Sequence, residues 1–183
     1  MKLLFENWRG YLKEIGDASL APYSFKFDSQ TTDIGSRSDE EVKYKFSTEK
    51  YDYLVLFYGE GLEEEGGWWD ISYQDAHTGG VDETGEGNPL RTLTTIVAIV
   101  KEFIATPELS KGAKKFQFAG VPKGYGSGEA TAGDWKTETR RTKLYLAYLK
   151  RNMPPGTKIE NDGENKIVFE LPADEQEMPQ AAE

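Results

Sequence analysis

The residues best placed for chemistry are two glycines directly ahead of a helix pattern. Gly85 and Gly87 precede Asn88, a residue type that often caps the first turn of a helix. Backbone N–H groups at such a turn, together with the helix dipole, bind phosphate groups. Short glycine patterns are also common in tight strand-to-helix turns that bind nothing. The spacing alone therefore leaves both a phosphate site and a structural turn open.

Side chains for acid–base or metal chemistry are few. Cysteine is absent and His77 is the single histidine, so thiolate nucleophiles are ruled out, a histidine-rich metal site is nearly excluded, and we predict no metal. His77 stands in the segment DAHTGG, where a solvated loop residue is the simplest interpretation. Glu60, Asp70 or Asp75 could serve as a general base, and their spacing does not select among them.

Charge is distributed unevenly along the chain. The net charge of -10 argues against unaided nucleic-acid binding, which depends on Lys and Arg against phosphates. Residues 59–88 hold nine acidic side chains and no Lys or Arg, whereas basic residues gather between Lys136 and Arg151. No segment approaches the roughly 20 apolar residues of a membrane span. We therefore expect no membrane association. The basic run Arg140 to Arg151 is either a solvated helix face or a phosphate-binding one.

The N-terminal segment has the spacing of an amphipathic helix. Leu4, Trp8, Tyr11 and Ile15 recur every three or four residues, and Gly16 follows as a stop signal. The aromatic stripe either packs back on its own domain or docks on a partner through Leu4, Trp8 and Tyr11. We predict three parts: this helix at 1–16, one domain at 22–171 and an acidic tail at 172–183.

Alternating and helical patterns fill the domain. The predicted strands are YSFKF (23–27), VKYKF (42–46), YDYLVLFY (51–58), WWDISYQ (68–74), KKFQFAG (114–120) and a terminal hairpin of GTKIE and KIVFEL. A loop is predicted at 28–41. Two helices are predicted, at 88–105 with Thr106-Pro107 as its end, and at 137–152 with Tyr145, Tyr148 and Leu149 inward. The fold class is α/β or, more strictly, α+β.

This order of elements resembles the GNAT superfamily of N-acetyltransferases. The resemblance implies a mixed, mostly antiparallel twisted sheet of about 6–7 strands flanked by helices. GNAT proteins carry Q/R-x-x-G-x-G/A ahead of their central helix, where the coenzyme A pyrophosphate binds. Gly85 and Gly87 fall at its two glycine positions and Asn88 follows, so the resemblance implies these three at the pyrophosphate, although Asp82 stands at the Q/R position. The stretch Arg141-Thr142-Lys143-Leu144-Tyr145 resembles the one whose tyrosine protonates the departing thiolate. The resemblance thus implies Tyr145 as catalytic acid.

A second resemblance concerns origin. The opening LLFENWRGYL, the segment around Gly85 to Thr95 and the later R-x-x-L-Y look like proteins of tailed phages, marine ones especially. Asp82, Glu83 and Glu86 would repel a pyrophosphate. We therefore expect a phage accessory or virion-associated protein that binds another protein through a non-catalytic GNAT-like scaffold, in the host cytoplasm or virion. The alternatives are an acetyl-CoA-dependent N-acetyltransferase acting on an amine and, third, an acidic DNA-mimic inhibitor.

Overall fold

The computed structural model describes residues 21–32, 40–62, 67–78, 88–119, 140–162 and 166–172, which form an α+β fold. The strands are β1 (Phe25–Thr32), β2 (Glu40–Ser47), β3 (Asp52–Glu60), β4 (Trp68–Asp75), β5 (Lys115–Ala119), β6 (Lys158–Asn161) and β7 (Lys166–Glu170). The helices are α1 (Pro89–Ile104), α2 (Pro107–Ser110) and α3 (Arg140–Asn152). The predicted helix at 1–16, with Leu4, Trp8 and Tyr11, and the tail from residue 173 lie outside the described residues.

The seven described strands form one sheet in the order β1-β2-β3-β4-β5-β7-β6. Every neighbouring pair is antiparallel except β4 and β5, which are parallel. Successive side chains of a strand point to opposite faces, so Val42, Tyr44 and Phe46 of β2 are buried on one face. The mostly antiparallel sheet predicted from the sequence is therefore confirmed.

Helix α1 connects the two parallel strands and packs on the sheet. Asn88 caps it and Pro89 opens it. Its apolar residues recur at spacings of three and four, and those of the core face are buried: Leu90, Leu93, Val97 and Val100. The ring of Phe103 is fully buried, stacks on Phe57 at 4.0 Å and meets Trp69 edge to face at 5.0 Å. These aromatic contacts fix the C-terminal half of α1 over the start of β4.

Helix α3 packs on the same face of the sheet as α1. The ring of Tyr145 meets Phe118 edge to face at 4.9 Å, while Phe103 of α1 meets Phe116 at 6.5 Å. Phe116 and Phe118 are two residues apart on β5 and therefore share a face. The hydrophobic core thus lies between this face and the two long helices. None of the described helices is long and apolar enough to cross a membrane.

The first strand is longer than the sequence predicted. Its prediction ended at residue 27 and assigned 28–41 to a loop, but β1 continues to Thr32 and β2 begins at Glu40. Asp28 is an extra residue in the ladder, because Phe27 pairs with Tyr44 and Ser29 with Lys43. Such a bulge breaks the alternation on which the prediction depended. The short helix α2 was also missed, since four residues are too few to show a period.

Candidate functional site

The described pairing of the two parallel strands ends before β4 does. Their register joins Trp69 to Phe116, Asp70 to Gln117 and Ile71 to Phe118. Beyond Ile71, β4 continues to Asp75, whereas β5 ends at Ala119. Residues 72–75 therefore have no β5 partner within the part of the chain that the structure describes. Ligands of sheets with parallel strands commonly bind at such carboxyl ends, so we take the end of the described β4–β5 pairing, called the parting below, as the candidate site.

The direction of α1 brings its N-terminus to the same end of the sheet. Phe103, near the C-terminus of α1, contacts Trp69 and Phe116, which lie near the starts of β4 and β5. The helix therefore runs opposite to both strands, as a crossover between parallel strands must. Asn88 accordingly lies toward the end of the sheet where the described β4–β5 pairing stops.

Tyr145 links α3 to β4 beyond the last β4–β5 pair. Its side chain is buried, with 6% of its surface exposed, as the inward prediction requires. Its hydroxyl oxygen lies 2.8 Å from that of Tyr73, and either hydroxyl can be the donor. The sequence predicted Tyr73 only as one of the alternating residues of a strand. The contact between the two phenols joins positions 72 residues apart, so no local pattern reveals it.

A second phenol of α3 makes a different contact. The hydroxyl of Tyr148 lies 2.7 Å from that of Thr94 on α1. Thr94 donates its one hydroxyl proton to the carbonyl of Leu90, at 2.9 Å. A hydroxyl has a single proton, so Tyr148 is the donor in its contact with Thr94. Tyr148 thereby joins α3 to α1.

The N–H groups in the first turn of α1 are already hydrogen-bonded to the N-cap residue, Asn88. The side-chain oxygen of Asn88 accepts the N–H groups of Leu90 and Arg91, each at 3.1 Å, and its carbonyl accepts that of Thr92 at 3.0 Å. Pro89 has no N–H to offer. A phosphate at this helix start would have to displace Asn88 or use residues 79–87. Gly85 and Gly87 belong to that segment, which lies outside the described residues.

The three carboxylates named as possible bases are spread over the sheet. Glu60 pairs with Trp68 at the start of β4, and Asp70 lies on the face opposite Trp69 and Tyr73. Asp75 lies at the parting end of β4, where it accepts the backbone N–H groups of Thr78 and His77, each at 2.8 Å. These hydrogen bonds, that from Thr78 first, lower the pKa of Asp75. Asp75 is therefore an ionised turn residue and a weak base.

Ser47, Asp52 and His77 meet at the other end of the β3–β4 ladder from Glu60. The hydroxyl of Ser47 donates to Asp52 at 2.5 Å, and the Nε2 atom of His77 lies 3.5 Å from the other carboxylate oxygen. The carboxylate stands between hydroxyl and imidazole, whereas an activated serine needs the imidazole against its hydroxyl. His77 is 74% exposed, as expected for a solvated loop residue. This cluster does not have the arrangement of a nucleophilic triad.

The surroundings of two further phenols raise their pKa. Burial, with a smaller contribution from Glu102, raises the pKa of Tyr44 to about 12. Burial and a hydrogen bond with Glu41 raise the pKa of Tyr58 to about 12. Both residues belong to β2 and β3, away from the parting strands. Neither phenol therefore ionises near neutral pH.

The site rests on the parting of β4 and β5, on the Tyr73–Tyr145 hydroxyl pair beside it and on the capped start of α1. Among the described residues, no group of three or more acidic or histidine side chains is arranged to hold a metal ion. Comparison of the chain with protein-family models, with curated proteins and with solved structures finds no match. The site is accordingly defined by its geometry.

Proposed function

We propose that this chain is a GNAT-like N-acyltransferase that transfers an acyl group from acyl-coenzyme A to an amine. The observation that carries the proposal is the Tyr73–Tyr145 hydroxyl pair at the parting of β4 and β5. GNAT proteins admit pantetheine through a gap between two strands, for which the sequence left 51–58 or 68–74 against 114–120 open, and the resemblance implied Tyr145 as the acid. A strand order with a single parallel pair, joined by a capped helix, supports the same proposal.

The end of β4 that lies beyond its described β5 partners suits an extended amide chain. Backbone N–H and C=O groups at an unpaired strand edge pair readily with a ligand that carries amides of its own. Pantetheine has two amides, and residues 72–75 supply such an edge among the described residues. This edge would bind the arm of the coenzyme by main-chain hydrogen bonds, independently of the pyrophosphate.

The reaction then requires only that the protein hold both reactants in place and supply one proton to the leaving sulfur. Acyl-coenzyme A, when bound, supplies an activated carbonyl carbon. A neutral amine forms the C–N bond as the C–S bond breaks, and Tyr145 gives its hydroxyl proton to the departing sulfur. The surplus proton on nitrogen passes to water, and Tyr145 later regains a proton from water. Holding both reactants in place supplies most of the acceleration.

The closed first turn of α1 favours a second candidate function. Asn88 already accepts the N–H groups of Leu90 and Arg91, and Pro89 has none, so this turn lacks free donors for a pyrophosphate. A GNAT-like scaffold with this turn would bind another protein, of a phage virion or its host, without catalysis. In this second candidate, the Tyr73–Tyr145 pair only packs α3 against β4.

Calorimetric titration with acetyl-coenzyme A separates the two functions. Saturable heat at micromolar ligand supports the transferase, and no heat at millimolar ligand overturns it in favour of the scaffold. Turnover is measured as thiol release in the presence of a panel of amines. Because the chain has no cysteine, a thiol reagent reports only the released coenzyme.

The matched variants are Tyr145→Phe and Tyr148→Phe, which each remove one hydroxyl from the same helix. We expect Tyr145→Phe to bind acetyl-coenzyme A but to turn over about 100-fold more slowly, since this is a typical contribution of a general acid. Tyr148→Phe should lower stability and leave turnover close to that of the wild type. Equal turnover of the wild type and Tyr145→Phe would rule out the assigned acid.

A further inference from the structure

Tyr73 differs from the other groups at the parting in how it is exposed. It shares the core-facing side of β4 with Trp69 and Ile71, and its ring lies 6.3 Å from that of Tyr53. Trp69 and Ile71 are fully buried, but Tyr73 is only half-buried. Its hydroxyl nevertheless lies 2.8 Å from the hydroxyl of the buried Tyr145. Tyr73 is therefore the more exposed phenol of this hydrogen-bonded pair.

The direction of the hydrogen bond is fixed for Tyr148 but open for the Tyr73–Tyr145 pair. Thr94 gives its proton to Leu90, so Tyr148 must donate to Thr94. In the other pair, both partners are phenols and either one can donate. If Tyr73 donates, the oxygen of Tyr145 is the acceptor in this contact. A phenolate formed at Tyr145 would then keep the Tyr73 hydrogen bond, and a bond to a charged acceptor is stronger than one between neutral groups.

We infer that Tyr73 is a positioning residue whose hydroxyl donates a hydrogen bond to the oxygen of Tyr145. This inference rests on the proposed transferase function and assigns to it a residue outside the helix that carries the acid. The O–H bond of Tyr145 breaks as sulfur takes the proton, and the O–H bond of Tyr73 stays intact. The resulting phenolate is stabilised by Tyr73 until it regains a proton from water.

A double-mutant cycle tests whether Tyr73 acts through Tyr145. The variants are Tyr73→Phe, Tyr145→Phe and the double variant, with Tyr148→Phe as the matched control. We expect Tyr73→Phe to lower kcat about tenfold, with the KM for acetyl-coenzyme A within about twofold of the wild type. In the Tyr145→Phe background the same change should have no further effect. An equal loss in both backgrounds would show a packing role and overturn the inference.

A readout independent of turnover separates this inference from the proposed function. NMR of protein labelled at tyrosine Cζ reports the hydrogen bonding of each phenol. Tyr73→Phe should move the Tyr145 signal, and Tyr148→Phe should leave it in place. Binding of acetyl-coenzyme A with an unmoved Tyr145 signal overturns the positioning role alone. A moved signal without any binding of acetyl-coenzyme A supports the hydroxyl contact and overturns the transferase.

Discussion

Two tyrosines three residues apart on α3 contact different elements of the fold. Tyr145 reaches the hydroxyl of Tyr73 on β4, whereas Tyr148 donates to Thr94 on α1. Residues at this spacing lie side by side on one helix face, so the sequence predicts that both point inward. It does not predict their partners, because these depend on how strands and helices distant in sequence are placed. Candidate acids can therefore be named from the sequence, but their surroundings cannot.

Asn88 gives a prediction for stability. Substituting Asn88→Ala removes the acceptor for the N–H groups of Leu90 and Arg91, and should lower the free energy of unfolding by about 1 kcal/mol. Urea denaturation measures the change. Asn88→Asp keeps a capping oxygen and should stay close to the wild type. A stability of Asn88→Ala equal to that of the wild type would show that the cap contributes nothing.

Asp75 gives a prediction for pH dependence. Its pKa is lowered in the folded state, chiefly by the N–H groups of Thr78 and His77, so the unfolded chain binds its proton more readily. The stabilisation is present above the unfolded pKa of about 4 and is lost as the pH falls through the folded pKa. Asp75→Asn keeps a hydrogen-bond acceptor but does not titrate. Its urea midpoint should therefore fall less steeply than that of the wild type below pH of about 4.

At the scale of elements, regular alternation made most of the sheet predictable. Strands β2, β3, β4 and β5 and the terminal hairpin appear close to their predicted bounds, as do α1 and the described part of the second predicted helix. The prediction was wrong where no regular pattern exists: at the bulge around Asp28, which interrupts the alternation, and in α2, which has only four residues. The end of the β4–β5 pairing could not be predicted from the sequence either, because strand register is set by tertiary pairing.

The contact between α1 and the sheet depends on Phe103. Substituting Phe103→Ala removes a fully buried ring that stacks on Phe57, and should lower the free energy of unfolding by about 3–5 kcal/mol. Phe27→Ala is the control, because that ring is 45% exposed and should cost about 1 kcal/mol or less. Both are measured by urea denaturation. Similar losses in the two variants would contradict this assignment of the core.

At the scale of the whole molecule, charge acts against compactness. The chain carries a formal net charge of -10 at neutral pH, and like charges held close together repel. A few ion pairs, such as that between Lys43 and Glu41 at 2.6 Å, offset this locally. Their side chains are partly exposed, and pairs of that kind contribute little. The folded state should therefore respond to dissolved salt.

This charge leads to a prediction for thermal unfolding. Raising sodium chloride from low to physiological concentration should raise the Tm at neutral pH by a few degrees, because salt screens repulsion within the chain. The same addition near the pI of about 4.8 should have little effect, since the net charge is then small. Differential scanning calorimetry at both pH values makes the comparison. An equal shift at both would point to a general salt effect in place of screening.

The extra residue at Asp28 also concerns how copies of the protein meet. β1 is an outermost strand of the described sheet, and an outer strand with regular spacing is a template for pairing with another molecule. Asp28 interrupts that spacing between Phe27 and Ser29, and the charged Lys26 precedes Asp28 by two residues on the same strand. A second sheet could not match its hydrogen bonds along the full length of such an edge. We therefore expect the irregularity that hid the strand from the sequence to hinder the pairing of another sheet along β1.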